Sequence, residues 1–481
     1  MGRLSSLEPE AVFQYFEEIC SIPHGSGNME EISQYCLDFA SAHNLRAVRD
    51  AANNIVIYKD ATAGYEACAP VILQGHLDMV CQKTEDCDID FEKDGIRPYV
   101  DGDFVKAEGT TLGADNGIAV AMTLAILASD DIAHPPLEAL FTTDEETGMC
   151  GALALDGALF KGRKLINMDA EEPGCVTVSC AGGSDFQMTL PIHKKTVQAT
   201  KVTIRISGLA GGHSGIEIHK GRVNADLLMG RILHAADQID TYAIIDVNGG
   251  DKGNAIPLAA VANIAVEENA AAFAEKLAGI LDEIKKEISD REPQASLTVQ
   301  VAETGAFSVW GADAKQKLLS LLLCAPNGVM DMSVDIEGLV ETSLNLGVLK
   351  TEDSAVQLLF TLRSCKKSAL KFLETRLQML TKSLGFSAES GGHYPPWEYK
   401  ADSQLRELYL SCHRTLCGTE ARVEAIHAGL ECGVLSSKIE GLDCIAIGPA
   451  LYDVHTVGER LSISSVAQTY ALVQQILKEC K

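Results

Sequence analysis

The residues able to do chemistry in this sequence are polar side chains set at the ends of apolar runs. They are His76 and Asp78 in VILQGHLDMV, Asp115 in TLGADNGIA, Glu145 and Glu146 in FTTDEETG, Asp169 in LINMDAEE and His455 in YDVHTVGE. Each alone has an ordinary reading. A His at a strand end is commonly a satisfied polar group, Asp115 can cap the helix after it, and the acidic runs can be solvated turns. Taken together, the two imidazoles and three of these five carboxylates make an N/O donor set suited to zinc, cobalt or manganese. Three carboxylates plus one hydroxide balance two divalent cations. Asp115 can bridge both ions with its two oxygens, leaving each ion one His and one further carboxylate. The expected ligands are therefore His76, Asp115, Glu146, Asp169 and His455.

His76 and Asp78 lie two apart on a strand and so share a face. Asp78 is expected to accept the second ring N–H of His76 and fix its tautomer, as outer carboxylates do for metal-bound imidazoles. Neighbours in extended chain point to opposite sides. Glu146 is thus expected on a metal and Glu145 beside the activated water, as its general base.

These residues need elements to hold them. NIVIYKD, APVILQGH, LEALFTTDEE and RKLINMDAEE read as short strands, with an apolar helical run over 116–127 between the second and third. Strands alternating with helices predict an α/β domain built on a largely parallel sheet. Ligands gather beyond the carboxyl ends of such strands, and all the landmarks are expected there. After about Ser184 the texture changes to longer β-rich runs (KVTIRISGL, AVANIAVEE, ASLTVQVAE, AVQLLFTLRS), with helices over 222–238 and 270–289. These predict an α+β layer with helices on one face. From about Tyr394 helix–strand alternation returns. The expected organisation is a catalytic domain in two parts, 1–183 and 394–481, with an inserted domain over 184–393.

Composition bounds the function. The chain of 481 residues is long enough for two or three domains. A formal net charge of -27 repels nucleic acid and anionic membranes, so neither is an expected partner. The 15 cysteines form no Cys-x-x-Cys pair, which suits reduced thiols in a cytoplasmic protein. Glu8, Glu10, Glu17 and Glu18 stand where a signal peptide needs an apolar core. The apolar stretch 117–128 is too short to span a bilayer. MGRLSS meets the N-myristoylation pattern at Gly2, a motif short enough to arise by chance. GGHSGI approaches a serine-nucleophile elbow, but Ile216 stands where its last Gly belongs.

GHLDMV, TLGADNGIAVAM, FTTDEETGMCGA, NMDAEE, GGHSGIEIHKGRVNA, GGDKGNAIP and VHTVGERL together resemble the M20 metallopeptidases, and among them the bacterial aminoacyl-histidine dipeptidases. The resemblance runs along essentially the whole chain. It implies a zinc-peptidase-like catalytic domain with a mixed, largely parallel sheet and an inserted α+β lid that also serves dimerisation. It implies two divalent ions, foremost Zn2+ with Co2+ or Mn2+ as alternatives, and a homodimer. The implied reaction is hydrolysis of dipeptides with a free N-terminus, Xaa-His dipeptides such as β-Ala-His included.

Carried over residue by residue, the resemblance selects the same five ligands, with Asp115 bridging, Asp78 orienting His76 and Glu145 as the catalytic carboxylate. Where the family often has two consecutive Asp, this chain has Asp115-Asn116, joined in the family by a cis peptide. His213, otherwise a donor in a Gly-rich turn, is implied to polarise the scissile carbonyl as an oxyanion donor, often from the partner subunit. Asn254 in GNAIP and Arg363 in FTLRS are similar to contacts for the substrate carboxylate, which an Arg fork binds bidentately. Glu431 in HAGLECG is placed to meet a substrate amine. Two other functions share these residues: an N-acyl amino acid amidohydrolase, separated by what recognises the substrate's amino end, and an inactive peptide-binding protein, against which the intact ligands, base and His213 argue.

Overall fold

The computed structural model describes residues 3–481; Met1 and Gly2, and with them the myristoylation pattern, lie outside the described residues. The chain divides into two compact units. One comprises Met1–Ser179, Tyr399–Ala425 and Leu430–Lys481, and the other Cys180–Glu398 and Ile426–Gly429. The segment expected as an insertion, 184–393, falls inside the second. Among the described residues no helix is long and apolar enough to cross a membrane.

The first unit is built on an eight-stranded sheet. Its strand order is Arg46–Arg49, Ile55–Lys59, Leu137–Thr142, Val71–His76, Lys164–Asn167, Asp443–Ala446, Cys175–Cys180, Arg422–Ile426. The four strands from Leu137–Thr142 to Asp443–Ala446 are parallel, and the strands that flank them pair antiparallel. Val71–His76 and Leu137–Thr142 are buried at every position, the run expected of strands covered on both faces. The helix Ala114–Ala128 is apolar nearly all round and buried from Gly117 to Leu127, as a helix enclosed on all sides must be. It reaches the sheet closely because residue 75 is glycine. A Cβ there would stand 2.5 Å from Asn116 Oδ1 and 2.9 Å from the Ala119 methyl.

A separate four-stranded sheet, ordered Leu451–Tyr452, Arg460–Ser462, Phe104–Ala107, Pro98–Asp101, was not foreseen from the sequence. It corrects the expectation that every landmark sits at a strand end of one sheet. His455 follows Leu451–Tyr452 and Asp115 follows Phe104–Ala107, both in the small sheet, while His76, Glu145, Glu146 and Asp169 follow strands of the large one. The strands of the small sheet are two to four residues long, too short for periodicity to mark.

The second unit carries a nine-stranded antiparallel sheet in which Ser296–Trp310 forms one edge and Ser387–Tyr394 the other. Alternate strand residues such as Phe186, Met188, Leu190 and Ile204 pack into one core with Leu228, Ile232, Leu277, Leu318 and Leu373. Those last residues come from the helices Ala225–Asp237, Ala270–Ile288, Ala312–Cys324 and Lys367–Leu384. A short pairing of Gly212–His213 with Ala255–Ile256 sets His213 opposite Ala255, next to Asn254.

Candidate metal centre

Three connections at strand ends, a helix start and the small sheet converge in the first unit. His76 closes the Val71–His76 strand. Its Nδ1 lies 2.9 Å from the Asp78 carbonyl, which assigns the ring proton to Nδ1 and turns Nε2 inward. His76 Nε2 faces Asp115 Oδ1 at 3.2 Å and Asp169 Oδ1 at 3.4 Å. The other oxygen of Asp115 meets His455 Nε2 at 3.1 Å, and that nitrogen also meets Glu146 Oε1 at 2.9 Å. Two trios therefore share Asp115: His76–Asp115–Asp169 and Asp115–Glu146–His455, each with its donor atoms within 4.8 Å of one another.

The donor set fits two cations on its own chemistry. Burial opposes a charge on His76, but the Asp169, Asp115 and Asp78 carboxylates outweigh it and hold the imidazole well above its usual range. Hydrogen bonds to the Asp115 and Glu146 carboxylates push His455 up to about 10. Burial, reinforced by Asp115 and Glu146, lifts Asp169 to about 6 against the pull of His76. Burial also disfavours charge on Asp115, yet its bonds to His455 and His76 keep it well below the carboxylate range. The clustered carboxylates thus call for positive charge between them, which a divalent ion in each trio would supply. A further group, Glu172, Cys175 and Glu424, offers similar atoms, but there the Arg422 guanidinium already spans Glu172 and Glu424 at 2.8 and 3.1 Å.

Asp78 keeps its contact with the His76 ring and makes others, while the glutamate pair departs from expectation. Asp78 Oδ1 lies 3.5 Å from His76 Nδ1, farther than the residue's own carbonyl. Its carboxylate also accepts the Glu145 N–H at 2.9 Å, the Glu146 N–H at 3.2 Å and the Ser26 hydroxyl at 2.8 Å. Asp78 thereby ties the Glu145-Glu146 segment to the end of the His76 strand. That segment is a turn rather than extended chain, entered through Asp144 at φ 53°, so the alternation argument does not describe it. The turn brings an oxygen of each glutamate within 4.8 Å of the other and of the His76 ring. Glu146 meets His455, while Glu145 is raised well above the usual range by burial and by Asp169, Glu431 and Glu146, against His76.

Asn116 shows why an amide suits that position. Its Oδ1 accepts the His76 N–H at 3.2 Å and its Nδ2 donates to the Met168 carbonyl at 2.9 Å. An Asp there would lack the second donor. The Asp115–Asn116 peptide is cis. Beneath the centre, Glu431 Oε2 accepts from Gln74 at 2.6 Å and Thr142 at 2.7 Å, and Gln74 accepts from Asn167 at 2.6 Å. Glu431 is wholly buried, its Oε1 has no partner, and burial holds it up at about 7.

The remaining expected residues lie in the second unit. His213 Nδ1 accepts the N–H groups of Gly215 and Ile216, both at 3.1 Å, so its ring proton is on Nε2. Burial and the Arg363 charge lower its pKa and keep it a neutral donor. Arg363 ends the Ala355–Ser364 strand opposite Ser343, gives one N–H to the Tyr394 hydroxyl at 2.9 Å, and has a buried Nε without a partner. Asn254 is exposed, and its carbonyl accepts the Ser214 N–H at 2.9 Å.

Two residues escaped the sequence reading. His427 is 5% exposed, meets Ser343 Oγ through Nε2 at 2.7 Å, and leaves Nδ1 buried without a partner. It lies in the same HAGLECG stretch as Glu431, so the motif was in view but its His was not singled out. Glu459, four residues past His455, bonds the backbone that carries Asp115. Its only sequence signal is the spacing from His455.

Comparison with known proteins agrees with this geometry. Residues 72–479 match the family described as Peptidase family M20/M25/M40. The chain is 40% identical over 484 residues to the cytosol non-specific dipeptidase of Escherichia coli (strain K12), covering 100% of this chain and 99% of that one. It superposes on the aminoacylhistidine dipeptidase of Vibrio alginolyticus with a TM-score of 0.92 at 38% identity, covering 99% of this chain and 98% of that chain. An aminopeptidase PepT from Bacillus cereus shares the fold at a TM-score of 0.57 and 14% identity, with 98% of this chain and 99% of that chain covered. With two carboxylate–imidazole trios joined through one aspartate, and a family match that spans them all, this chain belongs to the peptidase family M20/M25/M40.

Proposed function

We propose that this protein is a metal-dependent dipeptidase that cleaves dipeptides with a free N-terminus, with broad specificity that includes Xaa-His dipeptides such as β-Ala-His. The observation that carries the reading is the pair of trios sharing Asp115, with Glu145 beside them. His76 and Asp169 would hold one ion, Glu146 and His455 the other, and Asp115 both. Zn2+ suits this N/O set, and Co2+ or Mn2+ can replace it. Bound ions supply a water activated near neutral pH and polarise the scissile carbonyl.

The chain's own groups do the rest. Glu145 Oε takes the proton of the attacking water and passes it to the leaving amine, which suits a carboxylate whose pKa is lifted by burial. Asp78 holds the Glu145 and Glu146 amides so that both side chains keep their aim. His213 Nε2–H donates to the carbonyl oxygen as negative charge develops on it. Arg363, with Asn254, receives the substrate carboxylate, and the free Oε1 of Glu431 receives the substrate's amino group. The reading includes a homodimer in the cytoplasm.

The test is turnover of a dipeptide panel, β-Ala-His among them, against N-acetyl amino acids, using apo protein and protein loaded with Zn2+, Co2+ or Mn2+. Hydrolysis of the dipeptides only after metal addition is the expected result. Preferential cleavage of N-acetyl amino acids would make the protein an amidohydrolase instead. No bound ion and no turnover with any metal would make it a binding protein.

A further inference from the structure

We propose that Glu459 is a positioning residue for the metal centre, clamping the loop that presents Asp115 to the segment that presents His455. This rests on reading Asp115 and His455 as metal ligands. The carboxylate of Glu459 is buried, 3% exposed, and wrapped by consecutive backbone amides. Oε2 accepts the N–H groups of Leu112 at 2.7 Å and Gly113 at 3.1 Å; Oε1 accepts those of Ala114 at 2.9 Å and Asp115 at 3.2 Å.

These amides lead into the kink at Asp115 and Asn116, ahead of the regular turns of the helix Ala114–Ala128, so the helix itself gives them no partner. The wrap requires a left-handed residue in its middle, and Gly113 supplies φ 70°. A Cβ there would also press to 2.8 Å from Met79 Sδ. The loop is therefore shaped around one carboxylate, and that carboxylate comes from far along the chain.

The segment 455–459 thus grips Asp115 twice. His455 Nε2 meets its side chain at 3.1 Å and Glu459 Oε1 meets its amide at 3.2 Å. A turn bond from the Glu459 N–H to the Thr456 carbonyl, 3.1 Å, joins the two grips. The double hold keeps the two oxygens of Asp115 spread between His76 and His455, the disposition a bridging ligand needs. A carboxylate is required because every contact is a donated N–H. In Glu459→Gln the side-chain amide NH2 would face two of those donors instead of accepting from them.

The experiment compares the full-length wild type with Glu459→Gln, Glu459→Asp, Asp103→Asn and His76→Ala. Asp103 is the control, a carboxylate that accepts from Ser462 and Ser464 at 2.7 to 3.0 Å without touching the centre. Ion affinity is read by equilibrium dialysis with metal analysis, and the spacing of the two ions by the spin coupling of the Mn2+-loaded protein. Glu459→Gln is expected to bind its ions about tenfold to a hundredfold more weakly, the range for outer partners of metal ligands. Its spin coupling should change, and kcat should fall at least about tenfold while KM moves less than about threefold. Glu459→Asp, which keeps the charge, should recover part of the affinity. Asp103→Asn should lower the melting temperature alone.

The inference is overturned if Glu459→Gln keeps wild-type affinity and spin coupling, or if Asp103→Asn loses affinity to the same degree. Should Glu459→Gln not fold, Glu459→Asp decides: unchanged affinity and coupling overturn the inference, and weakened affinity supports it. If His76→Ala retains both ions, the ligand reading itself has failed; if it loses one while Glu459→Gln keeps both, only the role of Glu459 has.

Discussion

Two pairs of histidines, one in each unit, have opposite electrical surroundings. In the first unit His76 and His455 are drawn toward the charged form by carboxylates at 2.9 to 3.4 Å. In the second, His213 and His427 are driven to the neutral form by burial and the Arg363 guanidinium, with His427 lowered to about 3. The side chain is the same, and the neighbours decide what it can do. Imidazoles among carboxylates sit in a field that favours a cation, the setting a divalent ion needs. Imidazoles beside a guanidinium stay neutral near pH 7, with one nitrogen donating and the other accepting, which suits hydrogen bonding to a substrate.

Substitutions can break or sharpen this contrast. The largest effect is expected at Glu145. Glu145→Gln should lower kcat by roughly 10²- to 10⁴-fold with both ions retained, read by steady-state kinetics alongside metal analysis. Near-normal turnover with both ions bound would refute its role as base.

Next comes the histidine pair across the units. His213→Ala should cost roughly 10²- to 10³-fold in kcat and leave the metal content untouched, whereas His76→Ala should lose an ion. Equal metal loss in both variants would erase the distinction between the two environments. Arg363→Ala should raise KM for dipeptides about tenfold or more, as loss of a charge-assisted bond does, and change kcat less. An unchanged KM would remove the substrate carboxylate from its neighbourhood.

The smallest effect concerns stability. The folded pKa of His427, about 3, lies below the unfolded value of about 6.5. The unfolded chain therefore binds more protons between those values. The stability this group contributes is present above about pH 6.5 and is lost as pH falls toward 3, by up to about 1.4 kcal/mol per pH unit. His427→Gln should flatten that part of the acid dependence in urea denaturation measured at pH 7 and pH 5. An identical slope in variant and wild type would mean that His427 is not held neutral.

Much of the first unit was legible before the structure. Strands buried on both faces write continuous apolar runs, so Val71–His76 and Leu137–Thr142 announced themselves, and with them His76 and the glutamates that follow. The helix now bounded by Ala114–Ala128 was visible as an apolar block after Asp115. The small sheet was not, because strands of two to four residues carry too little pattern. Its absence from the reading is what misassigned the elements that deliver Asp115 and His455. The extended geometry assumed for Glu145-Glu146 failed for a related reason. A single left-handed residue, Asp144, ends the strand, and Asp can adopt that conformation without any sequence mark.

Residue types determined the inventory. Donor chemistry and charge balance follow from what His, Asp and Glu are, wherever they sit, so a candidate ion-binding set and a candidate base could be named from the chain alone. Only the tertiary structure decided which atoms meet. It set the Asp78 carboxylate between the ring of His76 and the amides of Glu145 and Glu146, buried Glu431 beneath the centre with one oxygen free, and brought Glu459 to the amides of Leu112–Asp115 from more than 340 residues away. Such contacts depend on the direction of single side chains across long chain separations, and no local pattern in the sequence encodes that direction.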